Sequence, residues 1–236
     1  MQRHKNLAPL MIVASKGRRA GETFAEPAFS RGFDIGMAVT AVVVLSPLFL
    51  ISAVLILLTD GRPIFFRQKR VGRYGELFDI LKFRTMEIDN GGPAITAAGD
   101  GRVTLVGAKL RKYKIDELPQ FFCVLRGHMS LIGPRPEVPE YVEPSDDLWE
   151  AVLQMRPGIT DLASLAFRDE EDMLALAEDP ETLYRRSVLP EKLRLNIAYQ
   201  RSRSLMRDLK LLWLTARYSF YPKGFDRNRV MGALGA

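Results

Sequence analysis

The sequence predicts an α-dominated α+β fold: a membrane helix broken at Ser46-Pro47, several amphipathic helices and one small β-hairpin. Three observations carry this. Residues 35–58 hold no charged side chain, and as a straight helix such a run reaches about 36 Å, enough for a hydrocarbon core of roughly 30 Å. Two short aromatic-rich runs, Pro63 to Gln68 and Leu77 to Arg84, flank Gly72, Tyr74 and Gly75, the composition of a hairpin. Beyond Asp169 the chain reads as helix almost to its end, with apolar residues at helical spacing.

In chain order, residues 1–29 read as a flexible polar leader. Residues 30–60 form the membrane segment. It lies too far from the first residue, and is too long, for a cleavable signal peptide, so it reads as a permanent anchor; a buried core helix is the other reading. Its flanks are both basic, with Arg18, Arg19 and Arg31 before it and Arg62, Arg67, Lys69 and Arg70 after it. A simple crossing wants one basic side only. Pro47 removes a backbone donor near the middle, and Ser46 is a candidate partner for the freed carbonyl. A re-entrant helix that enters and leaves on one face satisfies both flanks; a kinked spanning helix stays open.

Residues 61–220 form the expected globular domain and residues 221–236 a tail. After the hairpin, Glu87 to Gly101 reads as a mobile loop. Thr104 to Tyr113 and Asp116 to Leu125 read as helices, the second capped by Asp116. Further helices are expected over Trp149 to Met155, Glu171 to Ala177, Pro180 to Leu189, Pro190 to Ser202 and Leu205 to Phe220. The last carries a stripe of Leu209, Leu212, Trp213 and Ala216 that suits either a core or a lipid interface.

Composition excludes several classes. Hydrophobic residues make up 47% of the 236 positions, too many for a disordered chain. One cysteine, Cys123, rules out an internal disulfide, favours a cytosol-facing location and reads as a small core residue. With two histidines, a structural zinc site is excluded, and His128 has no partner ligand. The acidic run Asp169 to Asp172 reads as a helix start.

The net charge is +6, with basic clusters at Arg67, Lys69 and Arg70, at Lys82 and Arg84, and at Lys109, Arg111, Lys112 and Lys114. Such clusters suit a solvated face, anionic membrane lipid or a phosphate-bearing substrate. Nothing resembles a recognition helix, so nucleic acid is not expected as a partner. Asp116-Glu117 is the sharpest constellation. An ionised carboxylate at the start of a helix, among cations, can attack phosphorus or hold a divalent metal. Taken by itself, such a pair is more often ordinary helix capping.

The longer string separates the two. Phe78-x-x-x-Lys82-Phe83-Arg84-Thr85-Met86 precedes Asp100-Gly101-Arg102-Val103-Thr104, Leu110-Arg111 and Asp116-Glu117-Leu118-Pro119-Gln120. Gly127-x-Met129-Ser130-Leu131-x-Gly133-Pro134-Arg135-Pro136 and Arg156-Pro157-Gly158-Ile159-Thr160 follow. In this order and spacing the chain resembles the bacterial sugar transferase family, the monotopic polyprenyl-phosphate phosphoglycosyl transferases, from about Arg31 to Thr215.

The resemblance implies a re-entrant membrane helix broken at Ser46-Pro47, with interfacial amphipathic helices, on the cytosolic face of the bacterial inner membrane, and it makes residues 61–220 the cytosolic catalytic domain. It implies transfer of sugar 1-phosphate from a UDP-sugar to polyprenyl (undecaprenyl) phosphate with release of UMP, as the first step of lipid-linked glycan or exopolysaccharide assembly. Asp116 matches the family's nucleophile, which forms a covalent phosphosugar intermediate. The resemblance also implies Mg²⁺ as cofactor, held by Glu117 with Asp116. Arg111 and Arg135 match phosphate or nucleotide contacts, and Lys82 and Arg84 fall in a shared basic stretch. Downstream glycosyltransferases are the implied protein partners; an inactive adaptor that docks them is the alternative reading.

The chain departs from the family pattern in three places. Arg31 and Asp34 remain of a start motif that elsewhere also has Lys and Ser, and the two are expected to pair at the foot of the membrane helix. Asp161 to Phe167 replaces the usual Gly-x-x-Gln-Val-Asn-Gly ahead of Arg168. Leu195-Asn196 stands where Leu-Asp is usual. These departures leave the sugar unassigned.

Overall fold

In the computed structural model, helix α1 (Ser30–Val44) runs into α2 (Ser46–Thr59) through a 60° bend. The structure describes residues 30–88, 100–221 and 224–234; the leader 1–29 and most of the loop expected over 87–101 lie outside them. The bend has a local cause. Pro47 has no N–H to give to the carbonyl of Val43, one turn back, and Ser46 Oγ donates to that carbonyl instead at 2.8 Å. Among the described residues no single helix is long and apolar enough to cross a membrane, while the bent pair meets that test jointly.

One side of this pair docks on the rest of the chain. Asp34, Ala38, Ser52 and Ile56 are buried, whereas the other side is an uncovered apolar sleeve in which Leu50 is 66% exposed and Leu58 77%. The foot of α1 is pinned, but not through the expected Arg31–Asp34 pair. Arg31 Nη2 donates to the carbonyl of Leu125 at 3.2 Å, and Asp34 Oδ1 accepts from the N–H of Leu131 at 3.1 Å. Each side chain fastens the helix to a different backbone segment.

Strands β1 (Phe65–Val71) and β2 (Leu77–Phe83) form the expected antiparallel hairpin. Its turn needs positive φ at Tyr74 (58°) and Gly75 (82°). The register sets Gln68 opposite Ile80 and Phe66 opposite Lys82, so Gln68, Arg70 and Lys82 share a face. Helix α3 (Leu105–Lys112) is capped by Thr104, whose Oγ1 accepts from the Gly107 N–H at 2.9 Å. The same hydroxyl donates to Asp60 Oδ2 at 2.8 Å, tying α3 to the end of α2.

The helix expected over Asp116 to Leu125 is divided. A 3-10 turn spans Ile115–Glu117, and α4 (Gln120–Leu125) follows it. Lys114 opens the turn in the left-handed region (φ 56°), and Pro119, which has no N–H to donate, stands at the cap of α4. Asp116 therefore sits inside the turn and is not a helix cap.

A second small sheet was not anticipated: β3 (Ser130–Ile132) pairs in parallel with β4 (Gly158–Thr160), with α5 (Asp147–Val152) between them in sequence. At three residues each, these strands are too short to show a period. Helices α6 (Leu162–Ala166), α7 (Glu170–Ala175) and α8 (Pro180–Leu183) follow, and α8 continues through a π turn into α9 (Leu189–Arg201). Helix α10 (Leu205–Phe220) has the expected bounds, and the tail contributes α11 (Arg227–Leu234).

Three apolar clusters hold these elements. One joins Ala38 of α1 to Phe78 of β2, Val124 of α4, Leu131 of β3 and Leu214 of α10, with Cys123 buried inside it as expected. A second gathers Trp149, Val152, Leu174 and Leu193 from the later helices. A third packs Ile56 of α2 against Phe83 and Leu110, with Ile115 at its edge. This last cluster carries the apolar face of α2 up to the turn that holds Asp116.

Candidate active site

The 3-10 turn brings two neighbouring carboxylates to different environments. Glu117 lies between two cations. Its Oε1 accepts from Arg135 Nη2 at 2.6 Å and from Lys82 Nζ at 3.3 Å, and its Oε2 accepts from Arg135 Nη1 at 3.3 Å. Asp116 is buried, and its Oδ1 has no hydrogen-bond partner among the described residues. One turn on, Gln120 is also buried, and its Nε2 is likewise unpartnered among them.

The charges follow from this packing. Burial pushes the Asp116 carboxyl above its ordinary range, and the negative charge of Glu117 adds to the rise, against Lys82, Lys114 and Arg111. Burial pushes Glu117 up as well, but Arg135 and Lys82 outweigh it and hold Glu117 well below the usual carboxylate range. Burial pushes the Lys82 ammonium down, with Glu117 opposing. The pair therefore splits into a partner that keeps its charge to lower pH than a free glutamate and one that takes up a proton more readily than a free aspartate.

Arg135 is delivered by a rigid loop. It stands between Pro134 and Pro136, just after β3, where Gly133 and Gly158 meet backbone to backbone. A Cβ on Gly133 would lie 2.2 Å from the Arg156 carbonyl oxygen, and one on Gly158 would lie 2.1 Å from Gly133 N. Only glycine fits either position. The second sheet thus brings Arg156-Pro157-Gly158 and Gly133-Pro134-Arg135 together, although they are far apart in sequence.

The other expected site residues divide. Lys82 and Arg135 converge on Glu117. Arg111, in the last turn of α3, is close enough to bias Asp116 while its Nη2 lies 3.7 Å from Glu171 Oε1. Arg84 does not join them. It is buried, and its guanidinium donates to the carbonyls of Asp60, Gly61 and Arg62, where α2 ends. It closes the C-terminal end of α2. His128 stacks near the Phe78 ring, and the acidic run opens α7 with Glu170 on Lys192, both as plain structural readings.

Two residues were missed. Arg70 belongs to a cluster that suits a solvated face, anionic lipid or a phosphate-bearing substrate, and the structure shows it half-buried, donating to the Pro136 carbonyl at 3.2 Å and lying 3.7 Å from Glu137 Oε2. The hairpin alternation, which sets it on the face of Lys82, was the available signal. Asp161 accepts the N–H of Arg135 at 2.9 Å, and no local signal marks it. A crevice of about 80 Å³ lies at the foot of α1, lined by Asp34, Ile132, Arg203 and Asp208, apart from the carboxylate pair.

A buried acidic turn met by an arginine fork and a lysine suits chemistry at phosphorus: the cations can take phosphate oxygens, and a carboxylate oxygen is available beside them. Comparison with known proteins agrees. The chain is 39% identical over 158 residues to the exopolysaccharide production protein ExoY of Sinorhizobium fredii, covering 59% of this chain and 70% of that one. It is 38% identical over 190 residues to the UDP-glucose:undecaprenyl-phosphate glucose-1-phosphate transferase of Caulobacter vibrioides, covering 78% and 67% respectively. It is 46% identical over 140 residues to the UDP-N-acetylgalactosamine-undecaprenyl-phosphate N-acetylgalactosaminephosphotransferase of Aeromonas hydrophila, covering 57% of this chain and a third of that one. The sequence model described as bacterial sugar transferase matches residues 25–221, the span that holds the bent helix pair, both sheets and the carboxylate turn, and the chain belongs to that family.

Proposed function

We propose that this protein is a phosphoglycosyl transferase that moves a sugar 1-phosphate from a UDP-sugar to polyprenyl phosphate, with undecaprenyl phosphate as the carrier. The observation that carries this reading is the pairing of Asp116, with a buried oxygen that has no partner among the described residues, and Glu117, held between Arg135 and Lys82. The printed activities of the relatives from Caulobacter and Aeromonas support the same reaction type.

In the first step an Asp116 carboxylate oxygen attacks the sugar-bearing phosphorus. The bond from that phosphorus to the bridging oxygen breaks, and UMP leaves with the electron pair. Asp116 then carries the phosphosugar as an acyl phosphate. In the second step an oxygen of polyprenyl phosphate attacks the same phosphorus, the bond to Asp116 breaks, and the carboxylate is restored. Arg135, Lys82 and Arg111 hold the phosphate oxygens and screen the anionic nucleophile from them. A donor diphosphate competes with Glu117 for the two cations that hold it.

Mg²⁺ fits this site through Asp116. A buried oxygen without a partner among the described residues is a vacant donor, whereas both Glu117 oxygens already accept from cations. No group of three or more His, Cys, Asp or Glu side chains able to hold a metal occurs among the described residues, but Mg²⁺ needs only one or two carboxylates beside water and substrate phosphates. Bound there, it would neutralise charge on the diphosphate. Glu117 would join it only by releasing Arg135 or Lys82.

The bent pair α1–α2 supplies the membrane anchor. Its uncovered apolar sleeve, its 60° bend and its two basic flanks support a re-entrant path that enters and leaves on the cytosolic side of the bacterial inner membrane. The product belongs at the start of lipid-linked glycan assembly, where downstream glycosyltransferases act. The intermediate is tested by incubating purified protein with UDP-sugar alone. A burst of UMP with a sugar-phosphate mass gain on the peptide that holds Asp116 is the expected result. A burst without adduct, or an adduct elsewhere, would reject Asp116 as nucleophile.

A further inference from the structure

The Pro-Arg-Pro loop poses a positioning problem. Proline has no N–H, so Arg135 carries the single backbone donor of residues 134–136. The carbonyls of both prolines are held: Pro134 accepts from the Gly158 N–H at 3.0 Å and Pro136 from Arg70 Nη1 at 3.2 Å. The one donor goes to Asp161 Oδ2 at 2.9 Å.

Asp161 is itself fixed. It is 2% exposed. Its Oδ1 accepts the N–H of Ser164 at 2.6 Å, and its Oδ2 also accepts from Ser164 Oγ at 2.9 Å. A carboxylate has lone pairs for all three bonds, and the three donors offset part of the cost of burying it. A helix cap needs only the first of them. The further bond to Arg135 reaches back 26 residues and fixes the backbone from which the guanidinium fork projects onto Glu117.

We infer that Asp161 is a positioning residue for the transfer, which fixes the direction of the Arg135 fork by holding the sole N–H of the Pro-Arg-Pro loop. It touches no substrate and acts through Arg135. The inference rests on the proposed function for its catalytic consequence, while the tether itself does not depend on it.

The substitution Asp161→Ser separates the two duties, because serine still caps α6 but is too short to reach Arg135 as well. Two readouts are needed. Hydrogen exchange resolved at the Arg135 amide reports that N–H without any activity. Faster exchange at that amide in Asp161→Ser is expected, with membrane association retained; unchanged exchange overturns the tether. The second readout is kcat/KM for the UDP-sugar in a double-mutant cycle with Arg135→Lys. Asp161→Ser is expected to lower kcat/KM about tenfold in the native background and less than twofold beside Arg135→Lys. Equal losses in both backgrounds would make Asp161 a merely structural residue and overturn the positioning role. If the native protein turns over no donor, the proposed function fails while the exchange result still decides the tether.

Discussion

Arg135 grips Glu117 with both terminal guanidinium nitrogens, at 2.6 and 3.3 Å, while Lys82 approaches the same carboxylate from the hairpin at 3.3 Å. Glu117 is thereby a counter-charge that holds two cations beside Asp116. A planar fork on a carboxylate fixes direction as well as charge, which a lysine at the same place does not do.

Glu117→Gln leaves those two cations facing each other without their anion. Removing one member of a buried charge cluster costs about 3 kcal/mol or more. In a chain of this size that lowers the thermal midpoint by several degrees, roughly 6–12 °C. Thermal unfolding of the detergent-solubilised variant reads this directly, and an unchanged midpoint would show that the pairing contributes little.

The two carboxylates respond to pH in opposite ways. Asp116 is raised by burial and by Glu117, so it takes up a proton at a higher pH than a free aspartate. As the proposed nucleophile, Asp116 acts ionised, so kcat/KM at Mg²⁺ too dilute to load the free enzyme falls as pH drops through that raised value, and this acid limb lies above the ordinary 3.8. Glu117 is depressed; its contribution to stability is present above the ordinary 4.5 and is lost as pH falls through the lower folded value. Activity therefore fails on acidification before the fold does. Parallel pH series of turnover and unfolding test this, and simultaneous loss would contradict it.

Pro47→Ala restores an N–H that the Val43 carbonyl can accept, in place of the bond from Ser46 Oγ. The bend relaxes, and a straighter segment reaches farther across the bilayer. Reagents that do not cross the membrane, applied from the far side, should begin to label one terminus in the variant and neither in the native protein. Labelling that stays one-sided in the variant would remove Pro47 as the determinant.

Chelation of divalent cations should lower turnover at least a hundredfold, with recovery on adding Mg²⁺ and little recovery with Ca²⁺, which prefers more ligands at longer distances. Full turnover in excess chelator would show that Arg135, Lys82 and Arg111 neutralise the diphosphate unaided.

Long periodic or uniform segments were legible. The uncharged run with Ser46-Pro47 gave the bent pair, the aromatic runs gave the hairpin, and α10 has the expected bounds, because each depends on local pattern alone. What was not legible depends on contacts distant in sequence. The parallel pair β3–β4 forms because Gly133 and Gly158 admit close backbone approach, and nothing within either strand announces it. The single helix expected over Asp116 to Leu125 is divided at Pro119, between a 3-10 turn that ends at Glu117 and α4. At the site, the motif string singled out Asp116, Glu117, Lys82, Arg111 and Arg135. It also swept in Arg84, whose side chain turns back to the end of α2, and it passed over Asp161, whose partner lies 26 residues away.

The central claim is that Asp116 transfers a sugar phosphate to a lipid carrier. The measurement is UMP release from a panel of UDP-sugars by the native protein and Asp116→Asn, with Mg²⁺ and with or without undecaprenyl phosphate. Release with at least one donor that is sustained only with the lipid, and that falls at least a thousandfold in the variant while membrane association persists, is the predicted result. Full activity in Asp116→Asn, or no release with any donor, would contradict the account; the second outcome favours an adaptor for later glycosyltransferases.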